Sequence, residues 1–353
     1  MGSFVVPLTP PMKKNFLKIV AGLVLMVVFL YFFGRSVEWK KVPALITDVN
    51  VPLFLLLFPL AALHFVTRSV RWHVLIAREK IDVRFRNLVA ANIVGFTVSA
   101  VFPGRLGELA KPLYLARKEG LRPGFAVGTV VVERIFDLMT NCLLLGVFLL
   151  SGHLFTGAWP LDLEAGRRLV FWGIVGLAVA AALLTLTLIL YFFRERALRV
   201  VAFLLKPLPE KARGAVLGLL REFISGLDFF RSPGQLGLYA GLSVVVWLGI
   251  SCFYWILFFA YHVRVPYILV FPYVFLTALG ASIPTPGMVG GFHYFSKLGM
   301  VLLFGLDPGR AVGITLVGHA VQIAVTCALG YAILAHEGLT LFQLKKMGES
   351  EKR

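Results

Sequence analysis

Apolar residues occur along most of this chain in continuous runs. Six runs are long, and they cover about residues 16–33, 51–77, 125–151, 169–193, 235–261 and 311–335. A run near 20 residues can cross the hydrocarbon core of a bilayer as a helix, whereas the strands of a membrane β-barrel would alternate apolar and polar residues over about 10 positions. The pattern therefore predicts an all-α polytopic membrane protein with about six full transmembrane helices.

Three further apolar stretches are shorter or interrupted. We interpret residues 87–102, which contain several polar side chains, as a re-entrant hairpin, and a short tilted helix is the alternative. Residues 267–283 and 288–305 are either two further spans or a second hairpin. They flank a cluster made of Pro284, Pro286, Gly287, Gly290 and Gly291. Paired interrupted segments of this kind are typical of transporter sites, because unwound backbone at membrane depth is tolerated only where it lines a cavity.

Basic residues indicate the orientation, because loops kept in the cytoplasm are enriched in Lys and Arg. The chain has 35 Lys plus Arg against 18 Asp plus Glu, which gives a formal net charge of +17. If residues 87–102 crossed the membrane, the basic residues of 103–122 and of the 194–233 loop would lie outside. A hairpin that enters from the cytoplasm keeps both regions inside. The second broken segment would then enter from the opposite face, as in an inverted repeat.

The predicted organisation is one transmembrane domain, residues 16–335, between cytoplasmic tails at 1–15 and 336–353. Residues are 59% hydrophobic and 15% charged, against about 45–50% and about 25% in soluble domains. Phosphate-loop, dinucleotide-binding and hydrolase motifs are missing, and neither the three cysteines nor the histidines have metal-ligand spacing. We therefore expect no cofactor, no metal and no enzymatic activity. The basic residues lie beside apolar runs, where anionic lipids attract them, so nucleic acid is not expected.

Charged residues inside the apolar runs are the main candidates for function. A charge at the bilayer centre costs about 2.5–3.5 kcal/mol on insertion scales, so it faces a partner or water. On a helix, Arg134 reaches Asp137 at i, i+3, which leaves Glu133 to find a partner elsewhere. The candidate donors are Arg68, Arg71, Arg105 and Lys111. These charges form either an ion-pair network that holds helices together or, since Arg can clamp a phosphate, a site for an anionic headgroup.

Three motifs resemble a known family in their order and spacing. They are the run from Pro103 to Glu108, the helix segment Glu133-Arg134-Ile135-Phe136-Asp137, and Pro284-Thr285-Pro286-Gly287 with its following glycines. Together they resemble the flippase-like family that includes the membrane half of lysylphosphatidylglycerol synthases, over about residues 50–335. The resemblance implies a bacterial or archaeal plasma-membrane protein that moves or handles amphipathic lipids, such as aminoacyl-phospholipids, polyprenyl-phosphate-linked glycans or hopanoids.

The resemblance also has two departures. Full-length lysylphosphatidylglycerol synthases have a large soluble acyltransferase domain, and only about 18 residues follow the last apolar run here, so aminoacyl transfer is not expected. The family tends to have an acidic residue shortly after the Pro-Gly turn, where this chain has His293. A histidine changes charge near pH 6.5, so lipid movement is predicted to depend on pH through His293, unless this residue is a neutral one packed against the turn.

The sequence thus predicts a flippase-like transporter of an anionic or phosphate-linked lipid, and leaves the oligomeric state open. One alternative is a non-transporting scaffold that docks a soluble glycosyltransferase or lipid synthase on the 194–233 loop. Another is an intramembrane enzyme acting on a lipid phosphate, which would lack an evident nucleophile. The expected substrate-binding residues are Arg68, Arg71, Arg105, Glu108, Lys111, Glu133, Arg134, Asp137, Pro284, Pro286, Gly287, Gly290, Gly291 and His293.

Overall fold

The computed structural model describes most of the region between residues 42 and 338. The described residues are 42–102, 105–151, 163–207, 209–226 and 233–338, with the isolated residues Val24, Val27, Val28, Leu30, Tyr31 and Lys40. The predicted first span, 16–33, and the predicted tails, 1–15 and 336–353, therefore lie wholly or mostly outside the described residues.

The described part of the chain contains twelve α-helices, numbered here in chain order. They are α1 Val42–Thr47, α2 Val51–Ile76, α3 Phe85–Val101, α4 Gly107–Glu119, α5 Pro123–Ser151, α6 Leu163–Phe192, α7 Arg194–Leu204, α8 Glu210–Gly226, α9 Pro233–Ala260, α10 Val270–Ser282, α11 Gly291–Phe304 and α12 Pro308–His336. Short 3-10 turns at Tyr267–Leu269 and Pro286–Met288 precede α10 and follow it.

Helices α2, α5, α9 and α12 are long and apolar enough to cross a bilayer. Helix α6 has 30 residues and contains the apolar stretch Val170–Leu186. Local sequence explains where two of the helices begin: Asn50 and Asp307 cap the first turns of α2 and α12, and a proline follows each cap. These helices occupy five of the six predicted spans, and the structure confirms a polytopic all-α membrane protein.

Helices α3 and α4 form an antiparallel pair, which we call the first hairpin. The re-entrant interpretation of 87–102 is corrected in one respect: this stretch is only the first limb, and Gly107–Glu119 is the second. The polar segment from Arg105 to Lys111, expected on the cytoplasmic side after the hairpin, instead forms the turn and the start of that second limb. A polar segment can lie there because its charges pair with other helices.

Helices α10 and α11 form a second hairpin. They have 13 and 14 residues, or about 20 Å each at 1.5 Å per residue, which is too short to cross a hydrocarbon core of about 30 Å. Residues 267–305 were expected to form either two spans or a hairpin, and the structure shows the hairpin. Its turn has positive φ angles at Gly287 (57°), Met288 (59°) and Gly290 (93°), and glycine adopts such angles without a Cβ penalty.

The two hairpins begin at opposite ends of the long helices. Beyond the end of α2, Lys80 Nζ bonds Glu119 at the base of the first hairpin, 3.0 Å away. At the other end, the Asn50 N–H before α2 donates to the Ala260 carbonyl, just before the second hairpin, at 2.8 Å. We call these ends the first-hairpin face and the second-hairpin face. The turns of the two hairpins meet between these two faces, where Arg105 Nη2 donates a hydrogen bond to the Ala281 carbonyl oxygen.

The 194–233 region contains two helices instead of an irregular loop. Helix α8 packs on the start of α5, where Glu222 accepts a hydrogen bond from the Gly124 N–H at 3.0 Å. Gly128 makes this approach close, because a Cβ there would lie 2.6 Å from the Phe223 carbonyl oxygen. Helix α7, in contrast, has no buried residue. Part of this basic region therefore belongs to the folded body of the protein.

Candidate functional site

Six charged side chains meet where α2, α4 and α5 pack together, and we call them the charge cluster. Helix α2 contributes Arg68 and Arg71, α4 contributes Lys111, and α5 contributes Glu133, Arg134 and Asp137. The i, i+3 and i, i+4 spacings place the residues of each helix on one face. The first hairpin carries Lys111 to this face of α5, so the cluster depends on the turn of that hairpin.

Glu133 is the centre of the cluster and is fully buried. Its Oε1 accepts from Arg71 Nη2 at 2.9 Å and lies 3.4 Å from Arg68 Nη1, and its Oε2 accepts from Lys111 Nζ at 2.5 Å. The Lys111 ammonium also lies 4.2 Å from the centre of the Trp72 ring, a cation–π contact. Each carboxylate oxygen therefore has at least one cationic donor, which is the condition for burying this charge.

Asp137, one turn further along α5, shares Arg68, Arg71 and Arg134 with Glu133 and has an indole donor in addition. Arg71 Nη1 donates to its Oδ1 at 2.6 Å and the Trp247 indole N–H to the same oxygen at 3.0 Å. Arg134 Nη2 lies 3.2 Å from its Oδ2, as the i, i+3 spacing predicts. Arg71 thus bridges both carboxylates and also lies 3.3 Å from the Ser243 hydroxyl of α9.

Charge in the cluster is not balanced. Four cations face two carboxylates, so the net charge is 4 − 2 = +2 among the residues that the structure describes. Five of the six side chains are buried, and the Arg134 side chain is 36% exposed. The Nε atoms of Arg71 and Arg134 have no hydrogen-bond partner in the described structure. The cluster therefore has excess positive charge, free donors and one side chain open to the surroundings.

Such an arrangement can bind an anion. Guanidinium groups bind phosphate and carboxylate oxygens with paired hydrogen bonds, and a bound anion would lower the mutual repulsion of the four cations. In contrast, the described residues contain no group of three or more His, Cys, Asp or Glu side chains that could hold a metal ion. The chemistry of the cluster thus fits anionic oxygen ligands.

Two expected site residues lie at the turn of the first hairpin. Arg105 was expected among the partners of Glu133, and this was wrong: its Nη1 bonds Glu108 at 3.0 Å and its Nη2 the Ala281 carbonyl. Arg105 has a positive φ of 53°, which is uncommon for a residue with a side chain. This backbone conformation and the i, i+3 carboxylate direct Arg105 to the second hairpin.

The other expected site residues build the turn of the second hairpin. Pro284, Pro286, Gly287 and Gly290 form the turn, and Gly291 begins α11. His293 is buried, accepts a hydrogen bond from the Gly290 N–H through Nδ1 at 3.3 Å, and packs with a ring-centroid distance of 4.7 Å to His319. The structure therefore places His293 against the turn, and a role in pH-dependent lipid movement stays a prediction.

Helix α9 contributes polar side chains that the sequence analysis did not identify. Ser243 and Trp247 contact the charge cluster, and Tyr239 lies below Arg71, whose guanidinium carbon is 5.5 Å from the ring centre. On α2, His64 Nε2 accepts from Arg68 Nε at 2.8 Å. The residues Tyr239, Ser243 and Trp247 are spaced at i, i+4 and i+8, and this polar stripe within an apolar span is the signal that could have identified them.

Comparison with known proteins gives a match over most of the chain. A family model described as the lysylphosphatidylglycerol synthase TM region matches residues 19–330. A UPF0104 membrane protein of Methanocaldococcus jannaschii is 22% identical over 330 residues, which cover 91% of this chain and 95% of that protein. The glycosyltransferase AglD of Haloferax volcanii is 24% identical over 335 residues, which cover 88% of this chain but 53% of AglD. No solved structure matches the chain.

Proposed function

The chain belongs to the lysylphosphatidylglycerol synthase TM region family, and we propose that it moves an anionic, phosphate-bearing lipid across the plasma membrane. In this proposal the protein transports its lipid without modifying it, and the charge cluster binds the headgroup. Membership in this family supports a lipid-related role in the membrane, and the relative AglD is a glycosyltransferase by name.

One observation carries the proposal: the buried charge cluster has a net charge of +2. A cluster that only held helices together would be most stable with equal numbers of cations and carboxylates, because unpaired buried charge is costly. Here Arg134 adds positive charge at the exposed edge of the cluster. An anionic headgroup that enters beside Arg134 would supply the missing negative charge.

The paired hairpins support movement rather than static binding. Their turns interrupt the helical backbone inside the protein, and Arg105 joins one turn to the other. Broken helices that enter from opposite faces and meet near the middle are typical of secondary transporters, in which one half moves against the other. A lipid headgroup bound at the cluster would lie beside this junction.

Replacement of Arg134 tests the proposal. Arg134→Gln lowers the net charge of the cluster from +2 to +1, so we expect no loss of thermal stability, because repulsion among the cations decreases. Lipid movement in proteoliposomes that contain a fluorescent phosphatidylglycerol should fall by about tenfold or more, the loss expected for a charge-assisted hydrogen bond. The matched control is Arg78→Gln, an exposed cation outside the cluster, which should keep wild-type movement.

The same experiment separates transport from the scaffold alternative. A scaffold should tolerate the change in the cluster, so unchanged lipid movement in a well-folded Arg134→Gln protein, or no movement above protein-free liposomes in the wild type, would contradict the proposal. A strong loss of stability in Arg134→Gln would instead show that Arg134 mainly holds Asp137 in place.

A further inference from the structure

A cavity of about 640 Å³ opens on the first-hairpin face, away from the charge cluster. Its lining comes from the start of α3, the end of α4 and the end of α12. The lining residues are Arg84, Arg86, Asn87, Ala90, Lys118, Ala332, Ile333, His336 and Glu337. Ligand cavities in proteins commonly measure about 300–1,000 Å³, so a phospholipid headgroup with its glycerol would fit.

The charged part of this cavity has a cationic excess. The only carboxylate in the described lining is that of Glu337, whose Oε1 is 2.7 Å from Lys118 Nζ and accepts from the Tyr114 hydroxyl at 2.7 Å. Lys118 and Glu337 thus neutralise each other. The exposed Arg84 and Arg86 have no ion pair within the part of the chain that the structure describes. Two cations therefore remain for an anionic ligand.

The base of the first hairpin holds the cationic side in position. The Glu119 carboxylate accepts from the Arg84 backbone N–H at 3.2 Å and from Asn87 Nδ2 at 2.5 Å, and Lys80 Nζ approaches its other oxygen at 3.0 Å. These contacts fix the backbone from which both arginines extend. Both arginines lie at the start of α3. The positive end of the helix dipole at this position adds to their attraction for a bound anion.

Part of the cavity lining is apolar. Ala90 of α3 and Ala332 and Ile333 of α12 make up this part, and Tyr331, which precedes Ala332 in the chain, is 50% exposed. Aromatic rings of this kind are enriched where protein meets the membrane interface. Cationic side chains beside an apolar groove between membrane helices match both parts of an anionic phospholipid. Free phosphate would use the arginines and leave the groove empty.

We propose that this cavity is a second lipid site, which binds the phosphate headgroup of an anionic phospholipid through Arg84 and Arg86. One acyl chain of that lipid lies in the groove between Ala90 and Ile333. The site is separate from the charge cluster, so the lipid bound here need not be the lipid that moves. The proposal concerns binding alone and does not depend on the proposed transport.

Native mass spectrometry of the full chain in detergent tests the site with dioleoyl phosphatidylglycerol as the probe. Every protein in this comparison carries Arg134→Gln, which weakens lipid binding at the charge cluster, and the wild type is here the protein with an unchanged cavity. The double variant Arg84→Gln/Arg86→Gln should bind this lipid at least about tenfold more weakly than the wild type, as expected from the loss of charge-assisted contacts to phosphate. The control is Arg78→Gln/Arg199→Gln, which removes the same charge from exposed positions outside the cavity and should bind as the wild type does.

Two further measurements separate the sources of phosphate. Ile333→Asn should also weaken phosphatidylglycerol binding, because it places a polar amide in the groove. Inorganic phosphate should not displace the lipid at equal concentration. Equal lipid binding by the cavity variant and its control would overturn the site. Displacement by equimolar inorganic phosphate, or wild-type binding by Ile333→Asn, would overturn its assignment to a lipid.

Discussion

At the scale of single residues, Glu133 is a charged side chain in a fully buried position. It forms ion pairs with all four cations of the charge cluster. Its environment explains why an ionised residue is tolerated within an apolar run. Loss of the Glu133 charge would leave four cations opposite Asp137 alone, so the net charge of the cluster would rise from +2 to +3.

Glu133→Gln is therefore expected to destabilise the protein strongly. Breaking a buried ion pair by removing one partner costs about 3–5 kcal/mol, and thermal unfolding in detergent should show this loss. The double variant Lys111→Met/Glu133→Gln restores the net charge to +2 and should be more stable than Glu133→Gln alone, by about 0.5–3 kcal/mol for residues in contact. The matched control is Glu108→Gln, whose partly exposed pair with Arg105 should contribute about 1 kcal/mol or less. Equal stability of Glu133→Gln and Glu108→Gln would contradict this account.

Much of the cluster was predictable from the sequence, because charges in apolar runs must find partners. The pairing of Arg134 with Asp137 follows from helix geometry, and Lys111, Arg68 and Arg71 were among the donors expected for Glu133. Arg105 was not placed correctly, since its position depends on the turn of the first hairpin and on its positive φ angle. Turn geometry of this kind cannot be deduced from spacing along the chain.

At the scale of elements, both hairpins depend on a pair of glycines where their limbs cross. In the first hairpin a Cβ on Gly107 would collide with the Gly95 carbonyl oxygen. In the second, a Cβ on Gly280 would lie 2.5 Å from the Gly291 carbonyl oxygen, and the reverse distance is also 2.5 Å. A close approach of two glycines thus occurs in both hairpins, which agrees with a repeated architecture. Nothing in the composition distinguishes these glycines from the others in the apolar runs.

Alanine substitution tests these crossings. Gly107→Ala and Gly280→Ala should each destabilise the protein by about 1–3 kcal/mol or more, because the added methyl group forces the limbs apart. Gly146→Ala and Gly249→Ala are the matched controls, since a Cβ at either position has no neighbour within 4 Å. The controls should be neutral or slightly stabilising, because alanine favours the helix. Thermal unfolding of the four variants gives the comparison, and similar values for crossing and control positions would contradict it.

The base of the first hairpin should respond to acid through Glu119. Burial raises the pKa of this carboxyl group, but hydrogen bonds from Asn87, Lys80 and the Arg84 N–H outweigh burial and lower the pKa below its usual value of 4.5. Since the pKa is lower in the folded state, the stability contributed by the carboxylate is present above about pH 4.5 and is lost as the pH falls through the folded pKa. Unfolding temperatures of the wild type should therefore decrease towards low pH more steeply than those of Glu119→Gln. Parallel pH profiles of the two proteins would show that Glu119 does not stabilise this base.

Long apolar helices were predicted well at this scale, and the second limb of the first hairpin was not. Helices α2, α5, α9 and α12 could be predicted because each coincides with a continuous apolar run that is long enough to cross the membrane as a helix. Helix α4 begins with a polar segment that resembles a surface loop, and it is buried because Lys111 pairs with Glu133 on another helix. Its position is therefore a property of tertiary contacts.

At the scale of the whole molecule, basic residues are concentrated on one face. The first-hairpin face carries Arg78, Lys80, Arg84, Arg86, Arg117, Lys118 and Arg122, which lie at the ends of α2 and α4 and the starts of α3 and α5. The described residues at the other face include Arg264 and Arg310. By the enrichment of Lys and Arg in cytoplasmic loops, we infer that the first-hairpin face lies in the cytoplasm.

This orientation predicts a labelling pattern for single cysteines. In a background in which Cys142, Cys252 and Cys327 are replaced by serine, cysteines at Asp82 and Lys118 should react with a membrane-impermeant maleimide only after permeabilisation. Both residues are exposed near the base of the first hairpin. A cysteine at His262, whose side chain is 55% exposed before the second hairpin, should react in intact cells. Because Asp82 and Lys118 flank the two limbs of one hairpin, labelling of Lys118 alone from outside would mean that α3 crosses the membrane. The junction between Arg105 and Ala281 would then not join two segments that enter from opposite faces, and the architecture on which the transport proposal rests would be wrong.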